Sequence, residues 1–277
     1  MAPIIELRNV SKSYGNREVL RGINFRIEVG ETKIVLGGSG QGKSTILRHI
    51  LGLEKPDEGQ ILVGGVDIVP LEEVELVPVR KKMGMVFQEA SLFDSLSVFD
   101  NIAYRLEEEL VPDDEIIKTT KRLLHLVDLQ DDDLVKLPSQ LSGGMKRRVA
   151  IARGMAGTHN IMLYDEPTAG LDPITESHIT KLIIRLRDLE KVSSMIVTQD
   201  LISSFQLMTM CAHREEGKGV EVKVNPAHPC TSRTNMVILK DGRILTEGNL
   251  AQLLASTDPY VQEFLSSLRL LATHPAT

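Results

Sequence analysis

Apolar and polar side chains alternate over residues 4–8 and 23–29, the two-residue period of strands that bury one face and wet the other. Thr32 to Leu36 is a short β-type run that ends directly on Gly37, and Ser44 to Leu51 takes up helical spacing. Residues 59–69 predict a hairpin turning at Gly64-Gly65, and Met83 to Phe87 another short strand. From about residue 90 the spacing becomes helical, over 98–110 and again over 115–127, until the acidic run Asp131 to Asp133 and Pro138 interrupt it. Strand and helix then alternate: strand 161–165, helix 173–189, strand 194–198, helix 200–209. Residues 211–234 show no period and carry several Gly, Pro and charged residues, which predicts a loop. A hairpin around Asp241-Gly242 follows in 236–244, then helices near 248–255 and 258–272.

Strands that alternate with helices imply an α/β fold with a mostly parallel sheet under helical cover. The pattern predicts a single domain over 1–277: a core of 1–89 and 156–247, a helical insertion over about 90–155, a loop insertion over about 211–234 and C-terminal helices over 248–272. Hydrophobic content of 42% and charged content of 25% fit an ordinary globular chain. No apolar run approaches the roughly 18–20 residues that span a bilayer, and the start of the chain has no signal-peptide pattern, so a membrane role is expected to come through a partner. The net charge of −6 argues against non-specific nucleic-acid binding. Two cysteines give no disulfide framework, and a reducing cytoplasm is the expectation.

Three segments carry chemistry. Gly37-Gly38-Ser39-Gly40-Gln41-Gly42-Lys43-Ser44 has the spacing of a phosphate loop, with a strand before it and a helix after it, and these residues with Thr45 are the candidate nucleotide-binding set. Its backbone N–H groups would close around phosphates, Lys43 would reach the β and γ phosphates, and Ser44 would ligate Mg²⁺. The apolar run Ile161 to Tyr164 delivers Asp165 and Glu166 to the carboxyl end of a strand, where ligands sit in open α/β sheets. Asp165 suits the metal through water, and Glu166 suits polarising an attacking water. Ser142-Gly143-Gly144 opens a helix: serine is a favourable cap, and the glycines let a phosphate approach the backbone. One chain rarely needs two phosphate devices for one nucleotide, so two copies would each supply half of a shared site.

The order and spacing of these motifs resemble the nucleotide-binding subunits of ABC transporters over nearly the whole chain. That resemblance implies a RecA-like P-loop core, an antiparallel β subdomain and an inserted helical subdomain. It implies ATP and Mg²⁺, a head-to-tail homodimer, and a separate membrane permease that holds the subunit at the cytoplasmic face of the inner membrane. By the same resemblance Tyr14 stacks on adenine, Gln88 touches Mg²⁺ and reports to the permease, and Asp172 crosses the dimer interface. The family's switch histidine falls at Gln199, whose amide can donate to a γ-phosphate but cannot carry positive charge.

Finer features look like the ATPases of lipid-transport systems that work with MCE-domain proteins. These are Met145 closing the Leu-Ser-Gly-Gly-Met turn, the Lys146-Arg147-Arg148 run behind it, Gly170 to Thr175, and Phe93 to Tyr104. They imply phospholipid cargo and an MCE-domain lipid-binding partner. An amino-acid or metal importer, or a soluble non-transport ATPase of the same family, remains open on the residues alone. Cys211, His213, His228 and Cys230 form a mirrored pair with tetrahedral-site chemistry, but the spacing is not that of a zinc finger and incidental placement is the preferred reading. Glu107 to Glu109 reads as a solvated helix end.

Overall fold

The computed structural model of the chain describes residues 2–157, 161–215, 219–224, 234–263 and 265–266. In chain order it begins with β1 (Ile5–Tyr14), β2 (Arg17–Ile27), β3 (Thr32–Leu36), α1 (Lys43–Ile50), β4 (Glu58–Val63) and β5 (Val66–Asp67). Next come α2 (Glu73–Arg80), β6 (Met83–Val86), α3 (Val98–Glu108), α4 (Asp113–Leu126), α5 (Gly143–Gly154), β7 (Ile161–Asp165) and α6 (Pro173–Leu189). The chain closes with β8 (Ser193–Thr198), α7 (Leu201–Thr209), β9 (Met210–Glu215), β10 (Gly219–Val224), β11 (Thr234–Lys240), β12 (Arg243–Gly248) and α8 (Leu250–Leu254). These elements form two compact units, Met1–Leu71 with Ile184–Thr277, and Glu72–Ile183.

In the first unit β1 lies between β2 and β4, antiparallel to both, with Ile5 opposite Ile27 on one side and Val63 on the other. The same unit holds β3 between β11 and β8, parallel to both, with Leu36 level with Ile238 and Thr198. All five residues of β3 are buried. Burying Ile34, Val35 and Leu36 stabilises this centre by roughly 1.5–3 kcal/mol each, which fixes where the loop after Leu36 emerges.

The second unit pairs β6 with β7 in parallel, Val86 level with Tyr164. Its helices α3, α4 and α5 pack on one another through Ile102, Leu106, Leu123, Leu124, Val149 and Ile151, all 4% exposed or less. Ser97 caps α3 by accepting from the Asp100 N–H at 3.1 Å, and Asp100 accepts from the Ser97 N–H at 3.1 Å in return. The side chain of fully buried Asn101 then ties Phe93, Leu96 and Ser97 to that helix start.

Two elements escape the sequence pattern. Helix α2 contains Pro78, which removes a backbone donor, and it forms because Glu72 and Glu75 cap its start while Arg80 pairs with Glu73 across two turns. Part of the stretch expected to be a loop is instead the β9–β10 hairpin, with Met210 opposite Val224. Its root is stapled: Arg187, 1% exposed, donates to the Met210 carbonyl at 2.7 Å, and Asp188 accepts from the Ala212 N–H at 2.8 Å. Val220, Val222 and Val224 do alternate with Glu221 and Lys223, but three apolar positions among charges are a weak signal. A helical segment over 259–263 begins where the last helix was expected, and the part of that expectation beyond 266 lies outside the described residues.

Candidate active site

The phosphate loop leaves β3 between its two parallel neighbours, and the Gly37 N–H donates to the Thr198 carbonyl at 3.3 Å. Gly40 and Gly42 take φ of 72° and 95°, the left-handed conformation that turns successive N–H groups inward. A side chain at Gly42 would also meet Leu20 Cδ2 at 2.7 Å, so only glycine fits there. Lys43 is 6% exposed and its ammonium donates to the carbonyls of Gly37 at 2.8 Å and Gly38 at 3.0 Å, folded back over the loop that would hold the phosphates. Ser44 is half-buried and Thr45 buried in the first turn of α1. Arg17 donates to the Gly40 carbonyl at 3.1 Å, and Gln41 accepts from the Asp241 N–H at 2.5 Å, so the loop is braced from β2 and from the β11–β12 turn. Ser39 is the exposed tip.

Tyr14 ends β1 and is 43% exposed. Its hydroxyl donates to Glu54 at 2.6 Å and is bonded to Thr45, while the Lys12 ammonium lies 5.6 Å from the ring centre. Partial burial and then the Glu54 carboxylate push the phenol upward, while Tyr14 and Lys12 hold the Glu54 carboxyl low against its own desolvation. Glu54 therefore fixes an exposed aromatic face beside the phosphate loop. At the carboxyl end of β8 sits Gln199, exposed, directly after the Thr198 that anchors Gly37. Asp200 behind it caps α7, accepting from Ile202 at 2.8 Å and Ser203 at 3.2 Å.

The second unit carries the carboxylates. Residues Ile161 to Tyr164 are 2% exposed or less, and β7 delivers half-buried Asp165 and then Glu166, 9% exposed. Glu166 holds φ of 44°, unusual for a side chain that is not glycine, and its carbonyl accepts from the Ala169 N–H at 3.1 Å. Asp172 ends that turn by capping α6, accepting from Ile174 and Thr175 at 3.1 Å each. The Thr175 hydroxyl and N–H keep the Asp172 carboxyl below its ordinary value. Gln88 is exposed just past β6, the strand level with β7, so it leaves the same end of the pair as Asp165. Ser142 caps α5, its hydroxyl accepting from the Met145 N–H at 3.3 Å. Ser142 and Gly143 are both exposed at the positive end of that helix.

A family model described as ABC transporter matches residues 20–169, more than half of the 277 residues. The chain belongs to the ABC transporter family. The methionine import ATP-binding protein MetN of Carboxydothermus hydrogenoformans is 38% identical over 248 residues, covering 86% of this chain and 73% of that protein. The intermembrane phospholipid transport system ATP-binding protein MlaF of Escherichia coli is 34% identical over 269 residues, covering 97% of this chain and 90% of that one. In structure the chain resembles the ATP-binding cassette MJ0796, solved as a dimer with ADP and Pi, at a TM-score of 0.73 and 30% identity over 89% of this chain and 98% of that one. The chain is thus an ATP-binding, ATP-hydrolysing cassette with the fold its motifs implied. None of the helices among the described residues is long and apolar enough to cross a membrane.

Some contributors leave no trace in a sequence pattern. Glu54 and Arg17 act on residues 40 and 23 positions away through single side-chain contacts, which no spacing rule detects. Of the Cys and His quartet, His228 and Cys230 lie outside the described residues. Cys211 is buried on β9 and His213 is exposed on the same strand. Among the described residues no cluster has metal-site composition.

Proposed function

We propose that this cassette works as a head-to-tail homodimer, each ATP held by the phosphate loop of one copy and closed over by the Ser142-Gly143-Gly144 turn of the other, to drive a separate membrane permease from the cytoplasmic face of the inner membrane. The observation that carries this reading is the exposed, capped start of α5, which presents backbone N–H groups and a helix dipole with no anion of its own chain as partner among the described residues. The dimeric ADP-and-Pi state of MJ0796 supports it.

The loop N–H groups and the Lys43 ammonium bind the phosphates, and Tyr14 offers its face to the adenine. Ser44 of the first unit, and Asp165 and the Gln88 amide oxygen of the second, each offer a hard oxygen donor of the kind Mg²⁺ takes. That ion, when bound, neutralises charge on the β and γ phosphates. Glu166 takes a proton from the attacking water as its oxygen bonds to the γ-phosphorus and the bond to the ADP oxygen breaks. Gln199 donates a hydrogen bond to the γ-phosphate without adding charge. Replacing it, Gln199→His, is expected to raise steady-state turnover of the assembled complex by about two- to tenfold. An unchanged rate would remove Gln199 from the site.

The permease is assigned to the groove beside Gln88, a cavity of about 520 Å³ lined by Phe87, Phe93, Tyr104, Arg105 and Glu108. Phe93 and Tyr104 meet there at 4.9 Å between ring centres, an apolar floor under a charged rim that suits a short amphipathic helix. Phospholipid is the cargo, with an MCE-domain protein as the further partner. Two observations support this: the match to MlaF runs almost end to end in both chains, and Met145 with the basic run behind it resembles the lipid-transport ATPases. The match to MetN, higher in identity, covers less of that protein and favours an amino-acid importer instead. The cassette purified with its permease should carry phospholipid, and its ATPase should rise with phospholipid and ignore methionine. Stimulation by methionine in a lipid-free complex would hand the cassette to the amino-acid reading.

A further inference from the structure

One buried cation in the second unit, on α5 (the signature helix, which Ser142 caps), touches both the loop after β6 that holds Gln88 (the glutamine loop) and the turn after β7. Arg147 lies on α5 one turn beyond Gly143 and is 4% exposed. Its Nη1 donates to the Phe87 carbonyl at 2.6 Å and its Nη2 to the Ala169 carbonyl at 3.4 Å, while Nε is buried without a partner. Phe87 immediately precedes Gln88. Ala169 belongs to the turn that starts at Glu166, whose carbonyl takes the Ala169 N–H, and runs on to Asp172. Among the described residues no carboxylate pairs with Arg147, and burial alone shifts its guanidinium downward. Two carbonyl dipoles thus hold a charge that an apolar side chain of the same volume would avoid burying.

The same helix grips the glutamine loop a second time. Arg153 donates from Nη2 to the Ala90 carbonyl at 3.1 Å and lies 5.4 Å from the Phe93 ring centre. Between these anchors Ala90 and Ser91 take φ of 63° and 46°, a region that side chains enter at a cost and keep only when their surroundings enforce it. At the other end, a side chain placed on Gly144 would lie 2.5 Å from Thr175 Cγ2, so the start of α5 abuts the helix that Asp172 caps.

From these contacts we infer that Arg147 is a positioning residue that bolts the glutamine loop and the Glu166-to-Asp172 turn to the signature helix, so that a phosphate engaging the start of α5 shifts all three together. The inference rests on the ATPase reading above, and it adds a link that none of the sequence motifs contains.

Full-length wild type, Arg147→Met, Arg147→Lys and Glu166→Gln test it side by side. Arg147→Met should lower kcat by about tenfold or more while KM for ATP stays within about twofold, because Tyr14 and Lys43 bind the nucleotide from the other unit. Arg147→Lys, which still donates to one carbonyl, should recover part of the loss. Amide hydrogen exchange should rise in 87–91 and 166–172 together in Arg147→Met, with the thermal midpoint nearly unchanged. A kcat within twofold of wild type, a loss that disappears on cooling, a lysine variant no better than methionine, or unaltered exchange in either segment would overturn the proposal. Absence of Glu166-dependent turnover in the wild type would overturn the ATPase reading instead, and the exchange measurement would still decide the role of Arg147.

Discussion

Glu166→Gln is expected to cut steady-state ATP turnover at least about a hundredfold while leaving ATP affinity within about twofold of wild type. The amide has the shape of the carboxylate and can keep its hydrogen-bond geometry, but it cannot accept a proton. Glu166 is 9% exposed just past a strand whose first four residues are buried, so water that could act in its place has little access. Its φ of 44° sets the side chain's direction independently of the group at its tip, so the substitution changes chemistry and leaves the backbone alone. Affinity should hold because the phosphate loop, Lys43 and Tyr14 belong to the other unit. Phosphate release and a binding isotherm on the same preparation check both halves, and turnover near the wild-type rate would show that Glu166 is not the base.

Gly143→Asp has the second large effect expected. It should abolish turnover, by about a hundredfold or more, without loss of ATP binding by the chain itself or of thermal stability. A side chain at Gly143 meets only Leu171 Cδ2, at 3.6 Å, an ordinary contact. A carboxylate in the first turn of α5 even favours the helix, by about 0.3–1 kcal/mol through the dipole. What it removes is the attraction of that helix end for a phosphate. Gly144 is a poorer probe, since its replacement collides with Thr175 and mixes folding with function. Turnover and the thermal midpoint, measured together, separate the two: loss of both would make Gly143 a packing glycine.

Local chemistry makes much of the fold and of the site legible in the amino-acid sequence. The strand feeding Gly37, the helix from Lys43, the buried run ending on Asp165 and the Ser142 cap are all of this kind, because hydrophobic period and capping act over one or two turns. Elements whose stability comes from elsewhere are not legible. Helix α2 forms despite Pro78 because of its carboxylate caps, and the β9–β10 hairpin stands on Arg187 and Asp188, more than twenty positions upstream of Met210 and Ala212. The same reason hides Glu54 behind Tyr14 and leaves Arg147 as one letter in a basic run, though it joins carbonyls 60 positions before it and 22 after it. Contacts of this kind are set by tertiary packing, and nothing in the spacing around Arg147 distinguishes it from its half-buried neighbours Lys146 and Arg148.

The shared site between two copies is most directly tested by the mass of the Glu166→Gln particle in solution, measured by light scattering with and without ATP. A chain that is a monomer alone and a dimer with ATP, and that stays a monomer with ATP when Gly143→Asp is added, is the result expected. A mass indifferent to ATP, or a Gly143→Asp chain that dimerises as readily, would contradict it.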